Sequence, residues 1–293
     1  MSHKSGFVNI IGKPNAGKST LMNLLVGEQI SIITPKAQTT RHRIIGIVNQ
    51  PEYQIVFSDT PGILKPNYKL QESMMKFVDG AITDADVVLA MVELGELPSA
   101  EHEIVEKINR AEVPVILAIN KIDLGDQATV MTKIDTWQTI LPKATIIPIS
   151  ALSKFNADAL VAQILEWLPE GPAYYDKDAL TDKSERFFVS EILREKILKF
   201  YQKEIPYSIE VVIDEFKEEP LITKIRAIII VSRDSQKGII IGHQGKAIKK
   251  VATEARKDME KFLDKKVFLE TFVKVDKDWR DNETRLKNYG YLD

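Results

Sequence analysis

Short apolar runs alternate with helix-length stretches of mixed polarity in the first half of the chain. Runs rich in Val and Ile predict six strands, at 7–11, 44–48, 54–58, 87–92, 113–120 and 145–149. Apolar residues at helical spacing predict helices at 100–110, 128–141 and 158–168. Strands that alternate with helices are typical of βαβ units, whose mostly parallel sheet is covered on both faces. The first half is therefore predicted to be an α/β domain.

The second half has a different pattern. Val189, Leu193, Ile197 and Phe200 share one helical face, and residues 209–213 alternate in polarity as in a half-buried strand. The remaining predicted elements are a strand at 224–232, a short helix at 235–241, an amphipathic helix at 248–262 and a strand at 267–275. This order, α-β-β-α-α-β, predicts a smaller α+β domain.

Proline and glycine mark the boundary between the halves. The run Pro169-Glu170-Gly171-Pro172 ends the last helical pattern, and a polar stretch follows it. We therefore predict domains at 1–168 and 185–293, joined by a linker at 169–184. Two domains also fit the length of 293 residues.

Composition excludes several classes of protein and of functional site. The chain is 44% apolar and 28% charged, as expected of a soluble globular protein, and its apolar runs are too short to span a bilayer. It has no cysteine, which excludes disulfides, thiolate zinc sites and a cysteine nucleophile. Residues 237–266 carry nine basic and four acidic side chains. This local positive charge points weakly to a polyanion.

A phosphate-binding loop follows the first predicted strand. Its motif, GxxxxGK(S/T), is met by Gly12, Lys13, Pro14, Asn15, Ala16, Gly17, Lys18 and Ser19. The glycines allow backbone N–H groups to surround a phosphate chain, and the next helix begins with a partial positive charge. Lys18 can contact the β- and γ-phosphates, and the Ser19 hydroxyl can bind Mg²⁺. The loop alone predicts a nucleotide without specifying the base.

A second motif selects guanine. Asn120, Lys121, Ile122 and Asp123 follow the predicted strand 113–120. The Asp123 carboxylate can accept hydrogen bonds from the ring N–H and the amino group of guanine, a donor pair that adenine lacks. Ser150 and Ala151 follow the next strand, where a backbone N–H can reach the guanine oxygen. The predicted ligand is therefore GTP or GDP.

A third motif responds to the γ-phosphate. Asp59, Thr60, Pro61 and Gly62 follow the predicted strand 54–58. Asp59 can hold Mg²⁺ through a water molecule, and the Gly62 N–H can contact the γ-phosphate. Loss of that phosphate would release the loop, as in other nucleotide switches.

A glycine loop in the second half predicts RNA binding. It joins the two helices of the α-β-β-α-α-β pattern and contains Ile241, Gly242, His243, Gln244 and Gly245. This placement is typical of a type II KH domain, which binds about four unstacked nucleotides beside such a loop. Lys246, Lys249 and Lys250 follow and can contact phosphates. The isoleucines at 239–241 and Ile248 either line the nucleotide groove or belong to the core.

These motifs together resemble the Era family of GTPases over essentially the whole chain. The resemblance also rests on Gln38, Thr39, Thr40, Arg41 and His42, and on Ile63 after the third motif. It implies a P-loop GTPase domain followed by a type II KH domain. The candidate catalytic residues are Lys18, Asn15, Thr40 and Gly62.

The resemblance implies further roles for single residues. Thr40 is the expected switch ligand to Mg²⁺, with Ser19 and Asp59, while Thr39 remains an alternative. Ile63 occupies the position of the water-orienting glutamine of Ras-like enzymes, so we expect slow intrinsic hydrolysis. Asn15 matches an asparagine that seats K⁺ in related GTPases, and an equal alternative is that it only shapes the loop. Arg41 and Arg43 face the nucleotide or a partner, or are solvated, and solvation is favoured.

The resemblance also implies partners. These are the 3′ end of 16S ribosomal RNA and the 30S subunit, whose maturation the protein would assist. We expect a cytoplasmic monomer with peripheral contact to the inner face of the cell membrane. The alternatives are an RNA-binding GTPase of tRNA modification and an RNA-binding module with weak hydrolysis.

Overall fold

The structure, a computed structural model, describes residues 2–99 and 101–292, and its contacts divide into two compact units. The first unit comprises the chain as far as Ser31, together with Thr40–Lys65 and Met74–Asp182. The second comprises Ile32–Thr39, Pro66–Ser73 and the chain from Lys183 onward. Two short stretches of the first half of the sequence therefore group with the second unit. Within the described residues, no helix has both the length and the apolar character needed to cross a membrane.

In the part of the chain that the structure describes, the sheet of the first unit has six strands, in the order β2-β3-β1-β4-β5-β6. Their bounds are Lys4–Gly12 (β1), Ile44–Asn49 (β2), Tyr53–Asp59 (β3), Val87–Glu93 (β4), Val115–Asn120 (β5) and Thr145–Pro148 (β6). Among these described strands, β2 is antiparallel to its neighbour and the others are parallel, so the prediction of a mostly parallel sheet is confirmed. The carboxyl ends of the parallel strands meet at one edge, where α/β proteins bind their ligands.

Within residues 2–99 and 101–182, five α-helices accompany this sheet. They are Lys18–Val26 (α1), Lys69–Thr83 (α2), Glu103–Asn109 (α3), Gln127–Ile140 (α4) and Ala157–Trp167 (α5). Helix α2 was not predicted, although Leu70, Met74 and Val78 recur every four residues and are fully buried. The predicted start of α3, Ala100, lies outside the described residues.

The core of the first unit lies between strands β4 and β5 and the helices that pack on them. Every residue from Val115 to Asn120 is buried, as expected of a central parallel strand. Trp137 of α4, which is 1% exposed, packs into the same cluster. This rigid centre supports the loops at the carboxyl edge of the sheet.

Residues 169–182, within the predicted linker, are hydrogen-bonded to the first unit. The Gln54 amide accepts from the backbone N–H of Tyr174 at 2.7 Å and donates to the carbonyl of Tyr175 at 2.8 Å. Further along, the Ile47 N–H donates to the Leu180 carbonyl at 2.9 Å. This stretch is therefore fixed against β2 and β3.

The second unit follows the predicted order of elements. Its elements are Glu185–Phe200 (α6), Ile205–Ser208 (α7), Ile209–Glu218 (β7), Ile222–Val231 (β8), Asp234–Ile241 (α8), Lys246–Phe262 (α9), Lys266–Val275 (β9) and Glu283–Asn288 (α10). The sheet order is β7-β8-β9, with β7 antiparallel and β9 parallel to β8. Helices α7 and α10 are additional to the predicted elements, and the α+β class is confirmed.

The core of the second unit lies between this sheet and its helices. Val251, Ala255 and Met259 recur every four residues on α9 and are buried. On β8, Ala227 and Ile229 are fully buried and point to the same face, as the period of two requires. This packing holds α8 and α9, which carry the glycine loop between them.

Candidate nucleotide site and RNA-binding loop

The phosphate loop connects β1 to α1 in a conformation that its glycines allow. Gly17 has φ +98°, and a Cβ there would lie 2.2 Å from the Asn120 amide nitrogen. At Gly12 a Cβ would lie 2.5 Å from the Met91 carbonyl oxygen. These close approaches exclude larger residues, so the loop can turn its N–H groups towards the start of α1.

Lys18 is buried within this loop. Its ammonium group donates to the carbonyls of Gly12 and Lys13 at 3.0 and 2.9 Å. Burial lowers the pKa of Lys18 to about 8, although Asp59 and Glu96 oppose this. These hydrogen bonds fix the ammonium group in the loop, where its positive charge can stabilise a phosphate.

Three oxygen-bearing side chains converge beside Lys18. The Ser19 hydroxyl donates to Asp59 Oδ2 at 2.6 Å, and Thr40 Oγ1 lies 3.0 Å from Ser19 Oγ and 3.3 Å from the same carboxylate oxygen. Asp59 Oδ1 is buried with no hydrogen-bond partner among the described residues. Burial raises the pKa of Asp59, although Lys18 lowers it. Hard divalent cations take oxygen ligands, so this set fits Mg²⁺.

Thr39 lies apart from this cluster. Its hydroxyl donates to the Lys36 carbonyl at 2.6 Å and lies 2.6 Å from the Thr34 hydroxyl. The structure therefore brings Thr40, rather than Thr39, to Ser19 and Asp59.

The segment after β3 packs closely against the phosphate loop. A Cβ on Gly62 would lie 2.6 Å from the backbone nitrogen of Pro14, so only glycine fits without a shift. The Thr60 hydroxyl donates to the Ile10 carbonyl at 2.6 Å, and the Ile63 N–H donates to the Gly12 carbonyl at 3.0 Å. The Ile63 side chain is buried in the core of the first unit.

The guanine motif is linked to the phosphate loop by one side chain. The Asn120 amide donates to the Ala16 carbonyl at 2.8 Å and accepts from the Ala151 N–H at 2.9 Å. Lys121 adopts φ +63° and its ammonium group pairs with Glu93. Asp123 is exposed beyond it, where a base can reach its carboxylate. Asn120 thus fixes the loops around the place for a base.

The first-switch arginines are not solvated, so that expectation is wrong. Arg41 is fully buried. Arg43 donates to the Ser58 hydroxyl at 2.6 Å, pairs with Asp84 at 2.5 Å and donates to Asn9 at 3.2 Å. Arg43 therefore anchors the start of β2.

Two acidic residues, one at the end of β4 and one in the loop after it, were not predicted at this site. Besides Glu93, Glu96 lies 3.6 Å from the Lys13 ammonium group and accepts from His102 Nε2 at 2.6 Å. The position of Glu96 near Lys13 and Lys18 depends on the loop between β4 and α3. A periodicity of the sequence does not reveal such a contact.

The glycine loop of the second unit joins α8 to α9. Gly242 has φ +67°, and a Cβ there would lie 2.6 Å from the Ala247 Cβ. Gly245 has φ +73° with open space around it, and Gln244 is also left-handed with φ +51°. His243 and Gln244 are exposed, so the loop presents its backbone at the surface.

Basic residues follow this loop on the first turns of α9. Lys246, Lys249 and Lys250 are exposed, and the Lys250 ammonium group lies 4.9 Å from the centre of the Phe200 ring. The neighbouring isoleucines, predicted to line a groove or to belong to the core, differ in their exposure. Ile240 belongs to the core, whereas Ile239 is 49% exposed. A phosphate chain can therefore meet the helix N-terminus, the glycine backbone and three lysines.

Helix α6 contributes contacts that the sequence analysis missed. Arg194 is 1% exposed and its guanidinium pairs with Glu191, with Nε donating to Oε1 at 2.6 Å. Tyr201, directly after α6, donates its hydroxyl to the Ile240 carbonyl at 2.6 Å, just before the glycine loop. The Glu-x-x-Arg spacing was visible, but it does not show that the pair is buried.

Comparisons with known proteins agree with this arrangement. A family model described as a 50S ribosome-binding GTPase matches residues 7–121, and a KH domain model matches residues 204–280. GTPase Era of Clostridium kluyveri is 45% identical, covering 98% of this chain and 99% of that protein. GTPase Era of Geotalea daltonii is 45% identical, covering 98% of this chain and 97% of that protein.

Solved structures are similar over the same length. An Era crystal structure in complex with MgGDPNP and nucleotides 1506–1542 of 16S ribosomal RNA has a TM-score of 0.95 and 42% identity, covering 99% of each chain. An Aquifex aeolicus Era variant bound to GDP and AlF4⁻ has a TM-score of 0.94 and 40% identity, again covering 99% of each chain. These similarities extend over both compact units.

Proposed function

The chain belongs to the Era family of GTPases, and from that premise we propose that it is a GTP-dependent switch acting on small-subunit ribosomal RNA. Its KH domain would bind 16S rRNA near the 3′ end and so assist maturation of the 30S subunit. One observation carries this proposal: the full-length relative solved with MgGDPNP holds nucleotides 1506–1542 of that RNA. Because 16S rRNA belongs to the small subunit, the 30S particle is the proposed partner.

GTP hydrolysis is the attack of water on the γ-phosphate, and catalysis is mainly electrostatic. Lys18 would contact the β- and γ-phosphates, and the Gly62 N–H would donate to the γ-phosphate. Asp123 would select guanine, with Asn120 fixing the surrounding loops. Ser19, Thr40 and Asp59 would hold Mg²⁺, which neutralises the charge that develops on the phosphate oxygens.

We assign the water-orienting role to a group other than Ile63, because the side chain of Ile63 is buried in the core. Asn15, with φ +67° inside the phosphate loop, is the proposed K⁺ ligand. Replacing Na⁺ with K⁺ should then raise the GTPase rate, and Asn15→Ala should remove that difference. Equal rates in both salts would contradict this role for Asn15.

The glycine loop from Gly242 to Gly245 is the proposed RNA clamp, with Ile241, His243 and Gln244 beside it. Lys246, Lys249 and Lys250 would bind phosphates, which makes the affinity for RNA dependent on salt. We further propose that the protein acts in the cytoplasm, as a monomer with peripheral contact to the membrane.

The proposal can be tested by crosslinking to RNA. The full chain would be loaded with GDP or with a non-hydrolysable GTP analogue, crosslinked to ribosomal RNA, and the bound fragments sequenced. We expect fragments from the 3′ end of 16S rRNA, in amounts that depend on the nucleotide. Fragments without preference for that region in either state would refute the proposal.

Matched charge reversals on α9 sharpen this test. Lys249→Glu with Lys250→Glu alters lysines next to the glycine loop, whereas Lys257→Glu with Lys261→Glu alters exposed lysines further along the same helix. The first pair should abolish crosslinking and the second should retain most of it. A similar loss in both variants would indicate general charge attraction instead of a clamp.

A further inference from the structure

The stretch Ile32–Thr39 belongs to the second unit, yet it directly precedes Thr40 in the chain. Thr40 lies with Ser19 and Asp59 at the proposed Mg²⁺ site. Whatever fixes the end of this stretch therefore acts on the backbone next to Thr40.

This stretch forms a loop that is closed by its own hydrogen bonds. Thr34 Oγ1 accepts from the Lys36 N–H at 3.2 Å and lies 2.6 Å from the Thr39 hydroxyl. The Thr39 hydroxyl in turn donates to the Lys36 carbonyl. These bonds make residues 34–39 a compact block.

Helix α6 and the residue after it hold this block at two points. The Arg194 guanidinium donates through one terminal nitrogen to the Thr39 carbonyl. The Lys36 ammonium group donates to the Tyr201 carbonyl. The block is thus bonded to α6 at Thr39 and to the residue after α6 through Lys36.

Arg194 has little freedom to move away from Thr39. It is 1% exposed, and its forked guanidinium binds both carboxylate oxygens of Glu191, which lies one turn earlier on α6. A buried ion pair loses hydration, and it persists when its geometry and further hydrogen bonds compensate. A two-point pair with a planar guanidinium also fixes the direction of the remaining N–H groups.

The carbonyl that Arg194 binds is part of the peptide that joins Thr39 to Thr40. The six atoms of a peptide group, from one Cα to the next, lie in one plane. A hydrogen bond that fixes the Thr39 oxygen therefore also fixes the plane that carries the N–H and Cα of Thr40. The side chain of Thr40 starts from that Cα.

We propose that Arg194 is a positioning residue for GTP hydrolysis, which holds the Thr39–Thr40 peptide so that the Thr40 hydroxyl stays beside Ser19 and Asp59. The inference rests on the proposed role of Thr40 as a Mg²⁺ ligand. It assigns Arg194 of α6 a role in orienting the peptide that precedes Thr40.

Arg194→Lys is the informative substitution. Lysine keeps the positive charge opposite Glu191, but its single ammonium group lacks the fork that serves Glu191 and Thr39 together. Small misplacements of a positioning group reduce rates by up to about a hundredfold, and we expect a fall in kcat of about tenfold. The Mg²⁺ concentration for half-maximal activity should rise, whereas the affinity for GDP should stay within about twofold of that of the parent protein.

A double-mutant cycle with Thr40→Ala separates positioning from general destabilisation. If Arg194 acts through Thr40, Arg194→Lys should change kcat little in the Thr40→Ala background. Arg226→Lys is the control, because Arg226 forms ion pairs on the sheet of the same unit and belongs to no proposed site. It should leave kcat and the Mg²⁺ dependence unchanged.

Equal fold-changes from Arg194→Lys in both backgrounds would overturn the inference. If Arg194→Lys fails to fold, Lys36→Met is the second variant, because it removes the other bond of the block at a half-buried position. It should also raise the Mg²⁺ concentration for half-maximal activity. Unchanged kinetics of Lys36→Met would overturn the inference as well. If Thr40→Ala leaves the Mg²⁺ dependence of the GTPase rate unchanged, the proposed role of Thr40 is refuted instead. The two failures are thus distinguishable.

Discussion

The buried charge of Lys18 lowers the free energy of unfolding of the nucleotide-free protein. Its ammonium group is buried, and desolvation lowers its pKa from 10.5 to about 8. Between those two pH values the unfolded chain holds more protons than the folded chain, so this group makes the free energy of unfolding rise with pH there. Below pH 8 the cost of burying the charge is fully present.

Lys18→Met should therefore stabilise the nucleotide-free protein while it abolishes GTP hydrolysis. The pKa difference corresponds to about 3 kcal/mol, and the two lost hydrogen bonds subtract about 1 kcal/mol each, which leaves a gain of about 1 kcal/mol at pH 7. The gain should shrink at pH 10, where Lys18 is largely neutral in the folded state. Denaturant unfolding at both pH values measures it, with Lys13→Met as the half-exposed control. A less stable Lys18→Met protein at pH 7 would contradict this account.

Asp123 is the proposed selector of guanine, through the hydrogen-bond donors that its carboxylate accepts. Asp123→Asn places an amide N–H donor opposite the N–H donors of guanine, and two donors cannot form a hydrogen bond. The affinity for GTP should therefore fall by roughly a hundredfold or more. Xanthosine triphosphate carries a carbonyl at that ring position and should bind the variant better than GTP does. Competition binding against both nucleotides measures the change. A variant that still prefers GTP would show that other contacts select the base.

At the scale of elements, α6 shows what the sequence predicts and where prediction stops. Its apolar face placed Val189, Leu193 and Ile197 correctly in the core. Phe200 continues that pattern but is 41% exposed, with Lys250 over its ring. Arg194, in contrast, is buried, and it contacts the Thr39 carbonyl from a distant part of the chain. No local periodicity contains that contact.

The nucleotide motifs were easier to predict because each is a run of consecutive residues at a strand end. Ser19 follows β1 and Asp59 ends β3, and these parallel strands end at one edge of the sheet. Thr40 reaches the same edge because β2 is antiparallel and begins beside Asp59. Glu96 and Arg43 were not predicted correctly for the opposite reason. Their partners depend on loop conformation and on side chains from other strands.

Tyr201 connects the end of α6 to the end of α8, and this element contact can be tested. Tyr201→Phe removes the hydroxyl that donates to the buried Ile240 carbonyl, and burial raises the pKa of Tyr201 to about 12. We expect a loss of about 1–2 kcal/mol in unfolding free energy, because a buried carbonyl loses its donor. RNA affinity should also fall, since the glycine loop begins two residues later. Tyr174→Phe, at a 56% exposed position, is the control and should change neither quantity.

At the scale of the whole molecule, sequence predicts two consecutive domains, whereas the contacts assign Ile32–Thr39 and Pro66–Ser73 to the second unit. The first stretch directly precedes Thr40, and the second begins four residues after Gly62, the two proposed switch residues. They bond to each other through the Tyr68 hydroxyl, which donates to Gln38 at 2.9 Å. Long-range contacts of this kind have no signature in local pattern.

The second of these stretches is also bound to the C-terminal part of the unit. The Lys69 ammonium group pairs with Glu283 at 2.8 Å, and Arg280 lies 4.7 Å from the centre of the Tyr68 ring. The exposed ion pair contributes little energy by itself. Tyr68 is the more informative residue, because it contacts both Gln38 and Arg280.

This arrangement predicts a measurable coupling between GTP and RNA. If the second unit responds to the residues beside the switches, a GTP analogue should change RNA affinity by about 5- to 150-fold relative to GDP. RNA must then change the preference for the analogue over GDP by the same factor, because binding linkage is reciprocal. Tyr68→Phe removes the bond to Gln38 and should reduce the factor, while GDP affinity stays unchanged. Titration calorimetry with an oligonucleotide of the 16S rRNA 3′ end, in each nucleotide state, gives both factors. A factor of one in the parent protein would mean that the nucleotide does not control RNA binding, and an unaltered factor in Tyr68→Phe would place the coupling elsewhere.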